Sequence, residues 1–172
     1  ATKAQVEAVT GTTMCRYWLH TGMLRIRKRK MSKSLRNCIS IRDALSQYDV
    51  QALRLYFSLT HYRRPLDFRN SDLEKAFRLS RSIRSSVDEM KRSVSTVRGS
   101  ETDRDLDRIV SQFEARFLGA MDDDFDTERA VMELVDFTHN LAREFRLKRH
   151  GPRSLSWALT SLMKLSGILG VL

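Results

Sequence analysis

Residues 25–36 read RIRKRKMSKSLR, and seven of these twelve residues are basic whereas none is acidic. Lysine supplies mobile ammonium donors and serine adds a hydroxyl, so a short loop that carries both can fold around a triphosphate. The segment Lys30-Met31-Ser32-Lys33-Ser34 is therefore interpreted as a phosphate-handling loop. On composition alone, a solvated face, a localisation signal or a general nucleic-acid patch would produce a similar run.

Positive charge is concentrated around this loop. The 172 residues carry a net charge of +10, and residues 1–42 contribute +9 of it because they hold ten basic residues and one acidic residue. A surplus of this size attracts anionic partners. We therefore expect the partner to bind at the front of the chain.

The composition is that of a globular, helix-rich protein. Hydrophobic residues make up 41% of the chain and charged residues 30%, with 7 Gly and 2 Pro, which argues against disorder. The sequence has no run of roughly 18 apolar residues and no signal-peptide pattern at its start, so we expect a cytoplasmic protein without a membrane partner. Cys15 and Cys38 are too far apart for a metal knuckle, so we expect free thiols and no metal site.

Recognisable blocks surround the loop and follow one another in a fixed order. They are YWLHTG at 17–22, KMSKSL at 30–35, IRD at 41–43, YD at 48–49, ALR at 52–54, HYR at 61–63, FEARF at 113–117 and AMDDDFDT at 120–127. In order and spacing, these blocks resemble those of bacterial-type cysteinyl-tRNA synthetases. A KMSKS segment alone would indicate only a class I aminoacyl-tRNA synthetase or a nucleotidyl-transferring relative, whereas the HYR and MDDDF blocks narrow the resemblance to this branch.

The resemblance implies roles for the residues of the loop. In the family, the second lysine of the motif contacts ATP, and the matching residue is Lys33. Adenylate formation builds negative charge on the departing pyrophosphate, and a positioned ammonium stabilises that charge more than it stabilises bound ATP. We therefore expect Lys33 and Lys30 to be catalytic. The expected ATP-binding set is Lys30, Met31, Ser32, Lys33 and Ser34.

Three arginines lie in and after the HYR block. The guanidinium groups of Arg63, Arg64 and Arg69 are candidates to bind phosphates of the tRNA acceptor arm. A surface arginine beside a Pro turn commonly has no such role, and His61 and Tyr62 are equally well explained by packing or capping. Both interpretations stay open on the sequence.

Two positions beside the loop depart from the pattern of the family. The family commonly has an acidic or glycine-containing turn where this chain has Arg27-Lys28-Arg29. Without Gly, Asn or Asp, we expect a tight primed hairpin turn to be disfavoured there. The family usually has Gly at the position of Arg36, and an Arg forced to a positive φ would displace the loop.

Short-range patterns predict the elements that flank the loop. Alternation of apolar and basic residues over 23–27 predicts a strand that leads into the loop. Ser40 with Asp43 is expected to cap one short helix and Asp49 the next. We expect the helical part of this region to end at Pro65.

Four amphipathic helices are predicted after Pro65, and a capping box of Ser71 and Glu74 is expected to open the first of them. Their apolar positions, spaced by three or four residues, are Leu73, Phe77, Ile83, Val87, Met90 and Val94; Leu106, Ile109, Phe113, Phe117 and Met121; Val131, Leu134, Thr138, Leu141 and Phe145; and Leu155, Leu159, Leu162, Leu165 and Leu169. Short links between such helices predict an antiparallel four-helix bundle.

The expected fold is therefore mainly α. Residues 1–66 are expected to form the C-terminal end of a class I catalytic domain, with a short basic strand, the KMSKS loop and the stem-contact helices. Residues 67–172 are expected to form the four-helix bundle, a DALR-type helical domain that binds tRNA.

An acidic cluster, Asp122-Asp123-Asp124-Asp126, precedes the third of these helices. A calcium loop counted from Asp122 would need Gly at its sixth position, where the chain has Thr127. Carboxylates at a helix start cap backbone N–H groups and favour the helix dipole. We therefore expect the cluster to be structural.

The resemblance implies the C-terminal portion of a cysteine–tRNA ligase, with ATP, cysteine and tRNA(Cys) as substrates and a monomer favoured. The family's HIGH motif and zinc ligands are not in this chain, although the complete family enzyme holds zinc, so we expect the chain alone to be inactive. Two alternatives stay open. One is a non-catalytic RNA-binding module derived from a synthetase, and the other is a related ligase that joins cysteine to an amino sugar.

Overall fold

The structure, a computed structural model, describes residues 2–32, 34, 37–96, 102–147 and 151–172, except for the side chains of residues 95–96. Seven helices and three strands lie in these described ranges. In chain order they are α1 (Thr2–Thr10), β1 (Leu24–Ile26), β2 (Arg29–Lys30), α2 (Ile41–Leu45), α3 (Val50–Ser58), β3 (Leu66–Phe68), α4 (Asn70–Thr96), α5 (Arg104–Asp122), α6 (Thr127–Leu147) and α7 (Pro152–Leu169). The prediction of a mainly helical chain is confirmed.

The three strands form one small sheet in the order β2-β1-β3. Strand β1 pairs with β2 in antiparallel fashion, with Arg25 opposite Lys30, and with β3 in parallel fashion, with Ile26 opposite Phe68. The strand predicted over residues 23–27 is therefore confirmed. Strand β3 was not predicted, because three residues after a proline carry too short a pattern to distinguish a strand from a connection.

The turn between β1 and β2 corrects one expectation. Arg27 and Lys28 have φ values of 50° and 63°, and a type I′ turn has a positive φ at both central residues. The prediction that a primed turn is disfavoured here is wrong. The left-handed conformation costs about 1–2 kcal/mol for each L-residue. Asp67 contributes to the turn from β3, since its Oδ1 accepts a hydrogen bond from the Lys28 N–H at 2.8 Å.

The two short helices begin where the sequence predicts. Ser40 Oγ accepts from the Asp43 N–H at 3.1 Å, and the Asp43 carboxylate accepts from the Ser40 N–H at 3.3 Å, which completes a capping box. Asp49 Oδ1 accepts from the Ala52 N–H at 2.8 Å. Both caps are confirmed. Arg54, in the ALR block, extends from α3 to the end of α7 and donates from Nε to the Leu169 carbonyl oxygen at 2.9 Å.

Helices α4 to α7 pack together as the predicted bundle, and every apolar residue predicted for α6 and α7 is buried. On α5, the buried face includes Val110, whereas Ile109 is 41% exposed. Helix α4 begins at Asn70, so Ser71 lies inside its first turn and is not its N-cap, and the predicted capping box of Ser71 and Glu74 is wrong. The Glu74 carboxylate accepts hydrogen bonds from the Tyr48 hydroxyl and the Arg78 guanidinium group.

Successive helices of the bundle alternate in direction. Arg116 of α5 pairs with Glu133 in the first half of α6, as expected for antiparallel neighbours. Arg146, at the end of α6, pairs with Glu89, late in α4, so these two helices run in the same direction. No helix in the described ranges is long and apolar enough to cross a membrane.

Helix α3 contributes to two hydrophobic clusters. Its Leu55 lies in the main core, where the Phe113 and Phe137 rings stack with centroids 4.0 Å apart. Its Leu53 and Tyr56 lie in a smaller core beneath the sheet. Since α3 packs against both regions, the predicted domain boundary between residues 66 and 67 falls after an element that also contacts the bundle. The boundary itself stays a prediction.

We predict that Phe113→Ala lowers the free energy of unfolding by about 3–5 kcal/mol, because it leaves a cavity at a site that is 0% exposed. Urea denaturation followed by circular dichroism measures this difference. Met132→Ala is the control on the bundle surface, where Met132 is 59% exposed, and it should change the free energy by less than about 0.5 kcal/mol. Similar losses in the two variants would contradict the placement of α5 in the core.

Candidate functional site

The phosphate-handling loop continues directly from strand β2, and a single asparagine side chain bridges its two sides. Asn37 Oδ1 accepts a hydrogen bond from the Ser32 N–H at 2.9 Å, and Asn37 Nδ2 donates to the Lys30 carbonyl oxygen at 3.1 Å. The Met31 N–H donates to the Leu24 carbonyl oxygen at 3.1 Å, which extends the pairing of the hairpin. These contacts fix the backbone at the start of the loop.

The described part of the loop brings together most of the predicted ATP-binding set. Lys30 is exposed at the end of β2, and Met31 is half-buried. The hydroxyl oxygens of Ser32 and Ser34 lie 3.2 Å apart. Lys33, the residue expected to be central, lies outside the described residues, as do Leu35 and Arg36. Roles for Lys30, Lys33 and their neighbours therefore stay predictions.

Sequence reasoning missed Asn37 as a residue that positions the loop. Its side chain bridges a carbonyl oxygen and an N–H group two residues apart, a contact suited to an amide because an amide both donates and accepts. The available signal was an Asn within seven residues of the basic strand, just before the capping box. That signal is weak, since Asn is common in any loop.

The HYR block and the acidic cluster, far apart in sequence, meet in the structure. Arg63 binds the Asp124 carboxylate with two nitrogens, and its Nη2 lies 2.8 Å from Oδ1. The Tyr62 hydroxyl donates to the same Oδ1 at 2.6 Å. His61 Nε2 is 3.9 Å from Oδ2. Asp124 therefore anchors the whole block to the turn between α5 and α6.

This arrangement has a clear electrostatic consequence. The hydrogen bonds from Arg63 and then from Tyr62 hold the pKa of the Asp124 carboxyl well below its usual range. The backbone of Asp124 is itself left-handed, with a φ of 54°, and Phe125 has the same value. Asp124 therefore accepts the hydrogen bonds of Arg63 and Tyr62 while its own backbone is strained.

Asp126, the last residue of the acidic cluster, is consistent with the predicted structural role. Asp126 Oδ1 accepts a hydrogen bond from the Arg129 N–H at 3.1 Å and so caps α6. Within the described residues, no group of three or more His, Cys, Asp or Glu side chains is placed to hold a metal ion. Cys15 and Cys38 are free, as expected.

Each candidate tRNA-binding arginine faces a carboxylate of this chain. Arg63 pairs with Asp124 and Arg64 pairs with Glu128. Arg69 Nε lies 3.4 Å from Asp67 Oδ2. All three side chains remain more than half exposed, so an ion pair does not prevent a phosphate contact. Their role in RNA binding stays a prediction.

Gly22 connects the Arg63 region to the sheet. Its N–H donates to the Tyr62 carbonyl oxygen at 2.6 Å. A Cβ atom at this position would collide with the Arg64 carbonyl group, which is backbone and cannot move aside freely. A residue without a side chain is therefore required where the loop passes over the start of β1.

Comparison with known proteins defines the class. Residues 1–78 match the family described as tRNA synthetases class I (C) catalytic domain. The structure also resembles a chain of the LeuRS-tRNA-LeuAMS ternary complex of Agrobacterium radiobacter K84, with a TM-score of 0.71 and a sequence identity of 20%. The match covers 86% of this chain and 20% of that chain. At that identity the likeness concerns the fold alone.

Curated relatives give a narrower assignment. The chain is 34% identical over 172 residues to the cysteine–tRNA ligase of Leuconostoc citreum (strain KM20), covering 98% of this chain and 36% of the relative. It is 36% identical over 172 residues to the cysteine–tRNA ligase of Hahella chejuensis (strain KCTC 2396), and this match covers 98% of this chain and 34% of that relative. The chain thus spans about a third of the length of these relatives. It belongs to the cysteine–tRNA ligase family of class I aminoacyl-tRNA synthetases and represents a portion of such a ligase.

We predict that Asp124→Asn lowers the melting temperature at neutral pH and that its difference from the wild type shrinks in acid. A carboxyl whose pKa is depressed in the folded state stabilises the fold above its ordinary pKa of 3.8, and this contribution is lost as the pH falls below that value. Thermal melts between about pH 7 and pH 2.5 measure the difference. Asp136→Asn, on the exposed side of α6, is the control, and the same acid-dependent convergence there would contradict the assignment to Asp124.

We predict that Asn37→Ala speeds hydrogen exchange at the Ser32 amide by roughly fivefold, which corresponds to about 1 kcal/mol for the lost hydrogen bond. Hydrogen exchange measured by NMR gives the rate at this amide. Asn140→Ala makes the same substitution at an exposed position of α6. An unchanged Ser32 rate in Asn37→Ala, or equal effects in both variants, would remove Asn37 from the support of the loop.

Proposed function

We propose that this chain is the ATP-loop and helical-bundle portion of an enzyme that activates cysteine with ATP and esterifies it to tRNA(Cys). The observation that supports this most is the match of residues 1–78, which contain the KMSKS segment, to a class I catalytic domain. The proposed division places the catalytic portion in residues 1–66 and a tRNA-binding helical domain in residues 67–172.

The proposed chemistry assigns the loop to the leaving pyrophosphate. Negative charge moves onto the β- and γ-phosphates as the bond to the α-phosphate breaks, so a fixed cation lowers the barrier more than it tightens ATP binding. In this proposal Lys33 and Lys30 supply that charge. Ser32 and Ser34 supply hydroxyl donors, and Met31 contributes to the ATP-binding surface. The Asn37 bridge supports this assignment, because it holds the Lys30 and Ser32 backbone in place before the substrate binds.

Other parts of the proposed reaction lie outside this chain. We assign the binding sites for cysteine, and for the zinc ion of the complete family enzyme, to the two thirds of the relatives that this chain does not cover. We assign no reaction step to zinc. Arg63, Arg64 and Arg69 are proposed to contact tRNA phosphates, and the enzyme is proposed to act in the cytoplasm as a monomer.

A chimera tests the assignment of Lys33. In the cysteine–tRNA ligase of Hahella chejuensis, this chain replaces the matched third, and single-turnover adenylate formation is measured. Lys33→Ala should lower the rate by roughly a hundredfold or more, which is on the order of 2–4 kcal/mol. The apparent KM for ATP should change by less than about tenfold, because the lysine meets the developing charge mainly in the transition state.

Arg29→Ala in the same chimera is the matched control. It removes the same formal charge four residues from Lys33. If the loop were only a basic patch, the two substitutions would behave alike. Equal and small losses would therefore return the motif to a general electrostatic role.

A further inference from the structure

We propose that the hairpin of β1 and β2 is an RNA-binding ribbon, in which Arg25, Arg27, Lys28 and Arg29 bind phosphates of the RNA backbone. The ribbon is separate from the ATP loop but is joined to it at Lys30, the last residue of β2. The inference rests on the proposed RNA partner, since an RNA that is esterified must bring its end close to the loop.

The cations of this ribbon form no close ion pair within the part of the chain that the structure describes. No Asp or Glu among the residues that the structure describes lies within 4.0 Å of the side-chain nitrogens of Arg25, Arg27, Lys28, Arg29 or Lys30. The arginines that connect the sheet to the bundle are different, because Arg63 and Arg64 are both paired. Unpaired cations therefore gather in one short hairpin, where an external anion can bind them.

Pairing across the strands brings like charges together. Arg25 lies directly opposite Lys30 of β2, and on its other side it lies opposite Asp67 of β3. Like charges at opposed positions of an antiparallel pair destabilise it. Leu24 and Ile26 pack on the small core, so alternation along the strand places Arg25 on the outer face. A phosphate bound at Arg25 would weaken its repulsion from Lys30, which stays assigned to the ATP loop.

The turn of the hairpin adds two cations at a cost in backbone strain. Arg27 and Lys28 both hold positive φ values and are both exposed. The turn is supported mainly through its backbone, because the Lys28 N–H donates to the Asp67 carboxylate, and the Lys28 side chain adds only a coulombic attraction to the same carboxylate. The Lys28 N–H group, then Arg69 and the charge of Lys28 hold the pKa of the Asp67 carboxyl below its usual value, so this carboxylate is already engaged.

The chemistry of the ribbon favours backbone phosphates over bases. The major groove of an RNA helix is too deep and narrow for side chains to read, and arginine binds phosphate oxygens with two parallel hydrogen bonds. Binding should therefore be insensitive to sequence and strongly dependent on salt.

The turn itself allows a test that removes charge without disturbing the fold. Arg27→Asn with Lys28→Gly deletes two cations and supplies the Asn-Gly pair that a type I′ turn prefers. The glycine retains the backbone N–H that donates a hydrogen bond to the Asp67 carboxylate. The melting temperature should be unchanged or higher, so a loss of RNA binding cannot be attributed to unfolding.

The matched control removes two cations elsewhere. Arg104→Gln with Arg129→Gln lowers the net charge by the same amount, and both residues are exposed in the first turns of α5 and α6. Cations in that position oppose the helix dipole, so this variant should also remain folded.

Fluorescence anisotropy with labelled, unfractionated tRNA over a series of salt concentrations gives the affinity and its salt dependence. For the hairpin variant, the slope of log affinity against log salt should become shallower by roughly 1.8, which is about 0.9 for each of two lost phosphate contacts. The slope of the control should change by less than about 0.5.

Each outcome has a distinct meaning. Equal changes in the two variants, or no change in the hairpin variant, would overturn the assignment of the ribbon. Binding of both proteins to vesicles of anionic phospholipid is measured as well. If the hairpin variant loses vesicle binding but keeps its affinity for tRNA, the hairpin is a lipid-surface site and the RNA proposal is overturned. If the wild-type chain does not bind tRNA, both the RNA-binding role of the hairpin and the proposed RNA partner are wrong. The ATP role of the loop is tested separately by the Lys33→Ala chimera.

Discussion

The carboxylate of Asp124 connects the helical bundle to the loop between α3 and β3, which in turn contacts the residue that leads into the small sheet. Asp124 holds Arg63 and Tyr62 by their side chains. The Tyr62 carbonyl oxygen then accepts from the Gly22 N–H, just before β1. A continuous series of hydrogen bonds thus runs from the turn between α5 and α6 to the strand that carries the basic hairpin. The two sequence blocks that narrow the family resemblance are therefore also the two sides of one structural contact.

Features with local causes could be predicted from the sequence. The apolar faces of α6 and α7 follow from spacing alone, because a helix that packs on a core repeats its buried positions every three or four residues. The Ser40 and Asp49 caps involve groups no more than three residues apart. The loop was found from its composition, yet the contacts that support it were not, since an Asn that bridges two backbone groups looks like any other loop Asn.

The features that sequence reasoning missed depend on partners far along the chain. The turn at Arg27 and Lys28 looked unfavourable, but its support comes from Asp67, 39 residues away. Arg63 was a candidate to bind RNA, and no local pattern indicated its carboxylate partner, which lies 61 residues away. No window of local sequence contains both members of such a pair. A correct expectation would have required the parallel pairing of β1 with β3, and that pairing joins segments of only three residues.

Two groups of cations differ in their surroundings. One group forms ion pairs between elements of the fold, and the other group, in the hairpin of β1 and β2, is available to an external anion. Arg63, Arg116 and Arg146 are neutralised by carboxylates within the chain, on contacts that join one element to another. These pairs are partly exposed and supplement a bundle that is held mainly by its apolar core, so salt should weaken the fold only slightly. The hairpin cations form no ion pair of this kind in the described ranges, and phosphate binding through such groups weakens steeply with salt. If the hairpin binds a polyanion as we propose, ionic strength will release it while the bundle and the α3–β3 loop that Asp124 holds remain in place.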